Sequence, residues 1–184
     1  DIWVDLGGDI QLRVTHAPEP DMLPVWSPDG TRLAYVSGNP PRRPGQRRIT
    51  IAAADSGRVL QSFPCPGGPD AFCEPTDWFS EDRMVVNLRG ARDGDVWVVS
   101  TDGGFAEKLL AEPYTERDAR VFGRWVAHVS EEGGRPEVSV RGISGPSRLF
   151  RLSGGGDQPV WRRDGTELFF VDLRGRLRST QVSW

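Results

Sequence analysis

The chain has 184 residues, 37% of them hydrophobic and 27% charged, which is typical of a soluble globular chain with one sizeable core. Its formal net charge of −3 at pH 7 argues against a nucleic-acid-binding domain, which usually carries a strong basic balance. No apolar run approaches the roughly 20 residues that a membrane helix needs, so no membrane insertion by this segment is expected. The chain opens at Asp1 without a charged-then-apolar leader, and we expect a processed chain or a part of a longer one.

From the N-terminus onward, short runs of β-branched and aromatic residues alternate with Asp-Gly and Gly-Gly turn signals. Few windows show helical periodicity, so the pattern predicts an all-β chain of short strands joined by tight hairpins. Clear examples of the strand-like runs are residues 49–51, 96–98, 138–140 and 168–171.

One sequence motif recurs along the chain: PVWSPDGTRLAYVS at 24–37 is repeated as PVWRRDGTELFFVD at 159–172. Trp26, Trp78 and Trp161 each begin a unit of the form W-x-x-[DE]-[GD]. The apolar residue seven positions later, which opens the next predicted strand, is Leu33, Val85 or Leu168. We expect the tryptophans to pack between neighbouring units, and Asp29 and Asp164 to be turn residues.

A fourth unit is degenerate, because it lacks both the tryptophan and the turn signature. Its segment GRWVAHVS at 123–130 still aligns with TRLAYVS at 31–37, which places His128 where the first unit has Tyr35. The N-terminal DIWVDL matches DVWVVS at 95–100, so the chain starts within a unit.

The repeats predict a β-propeller built of four-stranded antiparallel blades, with about four to five blades present as a partial or open propeller. The predicted blade units are residues 1–20 (partial), 21–64, 74–112, 113–153 and 157–184 (partial). Two arrangements remain open. In one, strands within 158–171 pair with residues 1–15 and close a four-bladed ring. In the other, an open arc exposes two sheet edges, which a partner copy or further sequence would cover.

The segments PVWSPDG, DVWVVSTDGG and GGGDQPVWRRDGTELFFVD resemble the WD-repeat-like propeller repeats of TolB-type proteins. The likeness is nearest to the propeller that follows the kinase domain and membrane span of many bacterial serine/threonine kinases. The resemblance implies a periplasmic or other extracytoplasmic, non-catalytic module. Such a module would be the sensor half of a receptor kinase or a periplasmic scaffold with a protein or peptide partner.

Cys65 and Cys73 are the only cysteines, and Pro66, Gly67 and Gly68 lie between them. No histidine lies nearby to complete a zinc site, and the C-x-x-C spacing of redox enzymes is absent. We therefore expect a disulfide that closes a small loop between two blades, which agrees with the placement implied by the resemblance. The alternative is two unpaired thiols in a cytoplasmic protein.

Catalytic signatures are absent from the sequence: there is no G-x-S-x-G, no P-loop and no kinase catalytic motif. His16 and His128 have no evident serine or cysteine partner. We predict no catalytic, cofactor-binding or metal-binding residue and no enzymatic activity in this chain. The alternative is the propeller portion of a larger enzyme, such as a prolyl-peptidase-like hydrolase.

Acidic residues recur just before each predicted innermost strand, namely Asp21, Glu74, Asp118 and Asp157. In a propeller these positions gather near one mouth of the central channel, where they would attract a cation or a basic peptide segment. The alternative is that they are separately solvated strand-end residues. The basic run PPRRPGQRR at 40–48 is expected to be a solvated hairpin insertion. The alternative is that it contacts an acidic partner or a membrane surface.

Overall fold

The computed structural model describes residues 1–38, 47–68, 71–89, 94–143, 149–152 and 154–182, so most of the basic run lies outside the described residues. Within these ranges the chain is all-β, as predicted, with seventeen strands. The strands are β1 (Trp3–Asp5), β2 (Gln11–Arg13), β3 (Met22–Trp26), β4 (Arg32–Ser37), β5 (Arg48–Ala53), β6 (Val59–Pro64), β7 (Phe72–Trp78), β8 (Arg83–Arg89), β9 (Gly94–Ser100), β10 (Ala106–Leu110), β11 (Glu116–Phe122), β12 (Trp125–Ser130), β13 (Glu137–Gly142), β14 (Leu149–Arg151), β15 (Gly156–Trp161), β16 (Glu167–Asp172) and β17 (Leu177–Gln181).

Each sheet is a meander in which strands that follow one another along the chain are neighbours. Three sheets have four strands, β3 to β6, β7 to β10 and β11 to β14, while β15 to β17 form a sheet of three and β1 and β2 a sheet of two. Four-stranded antiparallel meanders of this kind are the blades of a β-propeller, which confirms the predicted fold class.

The four-bladed closure expected as one alternative needs strands of segment 158–171 to pair with residues 1–15. Within its own sheet, β16 is hydrogen-bonded to β15 on one side and to β17 on the other, so both of its edges are already paired. The β1–β2 hairpin pairs only within itself. The described strands therefore end in one incomplete sheet at each end of the repeat series.

The chain divides into two compact units. The first consists of Asp1–Gly90 with Trp97–Glu107, and the second of Ala91–Val96 with Lys108–Trp184.

In the first unit, β4 is buried on both of its faces. Ala34 and Val36 belong to a core cluster that also contains Met84 and Val86 of β8. Leu33 and Tyr35, on the opposite face of β4, belong to a second cluster with the side chains of the β1–β2 hairpin. Each face of this strand is thus covered by a neighbouring sheet, which explains its unbroken run of buried residues.

In the second unit, the core lies between the sheets β11 to β14 and β15 to β17. Ala127 of β12 and Val138 and Val140 of β13 pack with Leu168 and Phe170 of β16. The side chains of β12 are buried on both faces, whereas in β16 only Leu168 and Phe170 are buried.

The strand register corrects one expectation from the repeats. Trp26 is paired with Leu33 and Trp161 with Leu168, as expected from the repeat, but Trp78 is paired with Met84 rather than Val85. The expectation for Val85 was wrong because the hairpin between these strands is one residue shorter than in the other units. A one-residue shift moves every side chain to the other face of the sheet, so Met84, and not Val85, joins the first core cluster.

Every described innermost strand carries a β-bulge. The register shifts between Met22 and Val25, between Pro75 and Asp77, between Arg117 and Arg120, and between Asp157 and Val160. In three of these bulges a residue other than glycine has a positive φ: Leu23 at 58°, Asp118 at 54° and Gln158 at 55°. Such bulges re-aim side chains beside binding sites in many proteins, and here they lie next to the predicted acidic residues.

Candidate functional site

Asp21 directly precedes β3 and is 7% exposed. Its burial raises the pKa of the carboxyl group, which the hydrogen bond with the Thr15 hydroxyl partly offsets. The Thr15 hydroxyl in turn accepts a hydrogen bond of 2.9 Å from the backbone N–H of Ile2. Asp21 therefore fastens the β1–β2 hairpin to the first blade and offers little of its charge to solvent.

Glu74 lies in β7 and is neutralised by an arginine of the neighbouring strand. Its Oε2 accepts a hydrogen bond of 3.2 Å from Nε of Arg89, and Nη2 of the same guanidinium is also 3.2 Å away. The Glu74 side chain is 13% exposed, whereas that of Arg89 is 63% exposed. At this position the surface is formed by the cation more than by the predicted acid.

Asp118 of β11 and Asp157 of β15 are brought together by Arg117. Its guanidinium donates to both carboxylate oxygens of Asp157, at 2.5 and 3.0 Å, and to Oδ2 of Asp118 at 2.7 Å. Glu131 Oε1 lies 3.5 Å from Nε of the same arginine. Three carboxylates thus surround one cation, which leaves a net negative charge in this cluster.

The Arg117 cluster shifts the protonation equilibria of its members. Partial burial raises the pKa of Asp157, but the hydrogen bonds and charge of Arg117 outweigh this effect and hold the pKa below its ordinary value. The hydrogen bond from Arg117 to Asp157 also raises the pKa of the guanidinium. Both groups stay charged at neutral pH, and the bidentate pair is one of the stronger kinds of polar contact in proteins.

The most deeply buried acid among the described residues is Glu116, at the first position of β11, and it was not predicted from the sequence. Its side chain is 1% exposed, and Oε1 lies 3.6 Å from Nε2 of His128, which is 2% exposed. Burial raises the pKa of Glu116 to about 7 and lowers that of His128 to about 4. Oε2 of Glu116 accepts a hydrogen bond of 3.3 Å from the backbone N–H of Glu112.

Glu116, rather than Asp118, is the structural counterpart of Asp21. Glu116 is paired with Ser130, two residues after His128. Asp21 stands in the same relation to Ser37, two residues after Tyr35, because the next residue, Met22, is paired with Val36. The sequence alignment of 123–130 with 31–37 already indicated this equivalence, because it aligns Ser130 with Ser37, the residues that face Glu116 and Asp21.

Cys65 and Cys73 are joined by a disulfide, with their Cα atoms 5.7 Å apart. The bond links the end of β6 to β7 and so connects two successive blades. Both residues are buried in the first core cluster, at 6% and 0% exposure.

Among the described residues there is no group of three or more histidine, cysteine, aspartate or glutamate side chains that could hold a metal ion. The same residues contain no helix long and apolar enough to cross a membrane. The geometry of the site is therefore that of clustered ion pairs at the starts of the innermost strands.

Two TolB proteins are similar to this chain in sequence, while no family model matches it. The Tol-Pal system protein TolB of Alcanivorax borkumensis is 32% identical over 92 residues, which are 50% of this chain and 19% of that protein. A TolB homologue of Chlorobium luteolum is 28% identical over 139 residues, which are 73% of this chain and 29% of that protein. The matched segments thus span less than a third of these relatives' own length.

Solved structures show the same fold at lower sequence identity. TolB from Acinetobacter baumannii superposes with a TM-score of 0.70 and 18% identity over 98% of this chain and 48% of that one. A puromycin-hydrolyzing peptidase of Mycobacterium tuberculosis gives a TM-score of 0.64 and 19% identity over 91% of this chain and 30% of that one. The chain is thus similar in sequence to parts of TolB proteins and shares the β-propeller fold of the solved TolB structure.

Proposed function

We propose that this chain is a non-catalytic interaction module that works outside the cytoplasm and binds a protein or peptide partner. The observation that carries this proposal is the sequence similarity to TolB proteins, which coincides with a propeller fold of the same type. A propeller holds its innermost strands rigidly while their ends stay accessible. Such a surface suits the binding of a partner more than catalysis that needs moving parts.

Within each unit, the surface best suited to binding is the start of the innermost strands. A bulge lies in each of these strands, and in the second unit the Arg117 cluster keeps a net negative charge. A basic peptide segment complements this charge and gains speed of association from it. Acidic side chains of a partner would instead meet the exposed guanidinium of Arg89 in the first unit.

Binding is tested with a twelve-residue lysine- and proline-rich peptide, by calorimetry at 50 mM and 500 mM salt. Asp118→Asn removes one negative charge from the Arg117 cluster and keeps Asp157 in place, and it should weaken binding several-fold at low salt. Asp55→Asn is the matched control, because Asp55 is an exposed turn residue away from the innermost strands. Equal binding by wild type and Asp118→Asn would refute the assignment of the site.

The extracytoplasmic location is part of the proposal and is supported by the disulfide, since structural disulfides persist mainly in oxidising compartments. Alkylation of the two cysteines in whole cells, with and without prior reduction, tests it. Protection of both thiols before reduction is expected, while ready alkylation would place the chain in the cytoplasm. A reading frame that continues from a kinase domain and a membrane span would favour the receptor-sensor form of this function over a periplasmic scaffold.

A second candidate function is favoured by the structural likeness to peptidase propellers. In this case the chain would be the propeller of a larger hydrolase, and the catalytic residues would lie in another domain. A reading frame that continues into a G-x-S-x-G segment, together with peptidase activity of the complete product, would decide for it.

A further inference from the structure

Arg47 directly precedes β5 and is held by an aromatic ring rather than by an acid. Its guanidinium carbon lies over the ring of Phe72, the first residue of β7, at 4.1 Å from the ring centroid. Among the described residues, no acidic side chain forms an ion pair with Arg47. A stacked guanidinium keeps its N–H groups at the edge of the planar fork, where a carboxylate can accept hydrogen bonds from them.

Arg48, the first residue of β5, is likewise held by uncharged atoms. Its Nε donates a hydrogen bond of 2.8 Å to the Ser62 hydroxyl, and its Nη2 donates one of 2.7 Å to the Ser62 carbonyl oxygen. It forms no ion pair with an acid in the part of the chain that the structure describes. Arg47 therefore points towards β7 of the second blade, while Arg48 points along its own sheet towards β6.

Both arginines lie at the edge of the first blade at which its innermost strand begins. Arg48 is paired with Ser37, the last residue of β4. The preceding residue of β4, Val36, is paired with Met22, the first residue of β3. The arginines therefore belong to the same kind of surface that we propose for partner binding.

The disulfide fixes the position of Arg47 relative to Phe72. The backbone N–H of Cys65 donates a hydrogen bond of 3.2 Å to the carbonyl oxygen of Arg47. Cys65 is bonded to Cys73, the residue that follows Phe72. Arg47 and Phe72 are thus joined both by the ring contact and through the covalent bond. A group that is ordered before binding loses less conformational entropy when a partner binds, which strengthens the complex.

The nearby acids are already engaged with other groups. Glu74 of β7 is paired with Arg89, which is the cross-strand neighbour of Phe72. Asp21, just before β3, is 7% exposed and forms its hydrogen bond with Thr15. The two arginines at the start of β5 thus carry charge that no described ion pair compensates, in a chain whose formal net charge is −3.

The geometry of these two cations favours carboxylates as their ligands. A guanidinium fork of fixed orientation can donate two parallel hydrogen bonds to one carboxylate, which is one of the stronger polar contacts in proteins. Nucleic acids bind instead to a more extended basic surface, against which the negative net charge of the chain argues.

We propose that Arg47 and Arg48 bind two carboxylates of an acidic segment in the protein partner, with Phe72 and the disulfide holding Arg47 in place. The segment crosses the start of β5, and each guanidinium donates to one of its acidic side chains. This inference rests on the proposed function, because it names the chemistry of a partner that the chain binds.

The test is calorimetry with a twelve-residue glutamate- and proline-rich peptide at 50 mM and 500 mM salt. Wild type should bind the peptide at low salt and lose most of this affinity at high salt. Arg47→Gln and Arg48→Gln should each weaken binding at low salt by about three- to fivefold. The matched control is Arg58→Gln, which removes the same charge from an exposed position just before β6, at the other end of these strands, and should leave binding unchanged.

Two further changes test whether Arg47 is held in place, and neither alters a charge. Phe72→Leu should weaken binding by about two- to fivefold, because the guanidinium loses its contact with the ring. Dithiothreitol should also weaken binding by wild type and should have no effect on Cys65→Ala/Cys73→Ala. Circular dichroism and thermal unfolding show that each protein is folded at the temperature of the measurement.

A gain of affinity is expected when the acid beside Phe72 is neutralised. Glu74→Gln leaves Arg89 without its carboxylate, so a third guanidinium becomes available at this edge, and binding should strengthen several-fold. Glu81→Gln is the matched control, because Glu81 is exposed in the hairpin at the opposite end of β7 and β8. Equal effects of Glu74→Gln and Glu81→Gln would contradict a site at this place.

The lysine- and proline-rich peptide separates this inference from the proposed function. If wild type binds that peptide but not the glutamate-rich one, the acidic partner is excluded and the proposed function stands; binding of neither peptide would overturn both. Equal weakening by Arg47→Gln and Arg58→Gln would overturn the site, because only the overall charge would then matter. Tighter binding to vesicles of phosphatidylcholine and phosphatidylglycerol, or to a twelve-nucleotide single-stranded DNA, than to the glutamate-rich peptide would also overturn it.

Discussion

Glu116 and His128 form a buried acid–histidine pair in which Oε1 of the acid lies 3.6 Å from Nε2 of the imidazole. That distance exceeds a hydrogen bond, and burial favours the neutral form of both groups, with a pKa of about 7 for Glu116 and about 4 for His128. In an unfolded chain their ordinary values are 4.5 and 6.5. Between pH 4.5 and 6.5, folding therefore transfers one proton from the histidine to the acid. The charged groups that also act on the pair are Glu112, Asp95 and Arg141.

The two members of this pair have opposite effects on stability as the pH changes. Glu116 has a raised pKa in the folded state, so its contribution is lost as the pH rises from about 4.5 to 7. His128 has a lowered pKa in the folded state, so its contribution is lost as the pH falls from about 6.5 to 4. In wild type the two slopes largely cancel between pH 4.5 and 6.5, because the same number of protons is bound before and after folding.

Single substitutions should reveal the pH dependence that each residue gives to the free energy of unfolding. In Glu116→Gln, the free energy of unfolding should rise relative to wild type as the pH increases from about 4.5 to 6.5. In His128→Tyr, which installs the residue of the first repeat, it should fall over the same range. Each slope is at most about 1.4 kcal/mol per pH unit for one proton. Urea unfolding at half-unit steps of pH measures both, and parallel curves for the three proteins would contradict the proton transfer.

Arg117 should stabilise the second unit more than Arg89 stabilises the first. The Arg117 side chain is 21% exposed and makes two hydrogen bonds to Asp157, whereas that of Arg89 is 63% exposed. Arg117→Gln should therefore cost about 1–2 kcal/mol, since solvent screening of the half-buried Asp157 reduces the value of a fully buried pair. Arg89→Gln, the matched control, should cost less than about 0.5 kcal/mol.

The Arg117 contribution should also depend on pH in one direction. Because the pKa of Asp157 lies below its ordinary value of 3.8 in the folded chain, the stabilisation is present above that pH and is lost as the pH falls further. The difference in unfolding free energy between wild type and Arg117→Gln should thus shrink below about pH 3.8. An undiminished difference in acid would mean that Arg117 acts through packing and not through its charge.

Reduction of the Cys65–Cys73 disulfide should destabilise the chain by about 2–3 kcal/mol. The bond spans eight positions, and the loss of loop-closure entropy in the unfolded chain gives this magnitude for so short a loop. Thermal unfolding with and without dithiothreitol measures the effect. The variant Cys65→Ala/Cys73→Ala should unfold at a lower temperature than oxidised wild type, and the reductant should not change its unfolding temperature. If the reductant also leaves the unfolding temperature of wild type unchanged, the bond is absent in solution.

The repeat pattern made much of the fold predictable, because every blade needs the same local parts. Turn chemistry and strand alternation predict the Trp-x-x-Asp-Gly hairpins around Trp26 and Trp161. They do not predict that Trp78 is paired with Met84 rather than Val85, because this register depends on one residue of hairpin length in a unit whose turn signature is altered. Local patterns specify strands well and register less well.

The candidate site was less predictable, for two physical reasons. The ion pair of Arg117 with Asp157 joins strands 40 residues apart, and nothing in either local segment indicates the other. The exposure of Trp26 depends on which sheet lies beside it, because the same motif gives a buried side chain at Trp78. Contacts between sheets, and the exposure that depends on them, can therefore be predicted only when the arrangement of the sheets is known.

The two equivalent hairpin glycines, Gly30 and Gly165, should respond differently to the same substitution. Both have a φ of +70°, so an alanine at either position is strained by about 1 kcal/mol. A Cβ at Gly30 meets no atom within 4 Å, whereas a Cβ at Gly165 overlaps the ring of Phe122. Gly165→Ala should therefore cost at least about 1 kcal/mol more than Gly30→Ala, because the ring must leave its place beside Trp161.

A double-mutant cycle separates the two causes. If the ring causes the extra loss, Phe122→Ala should remove most of the penalty of Gly165→Ala, with a coupling energy of about 1 kcal/mol or more. The penalty of Gly30→Ala should not change in the Phe122→Ala background, because no atom of Phe122 lies within 4 Å of that site. Urea unfolding of the six proteins gives these values. Equal penalties at the two glycines would mean that the third blade and the following sheet do not pack through Phe122.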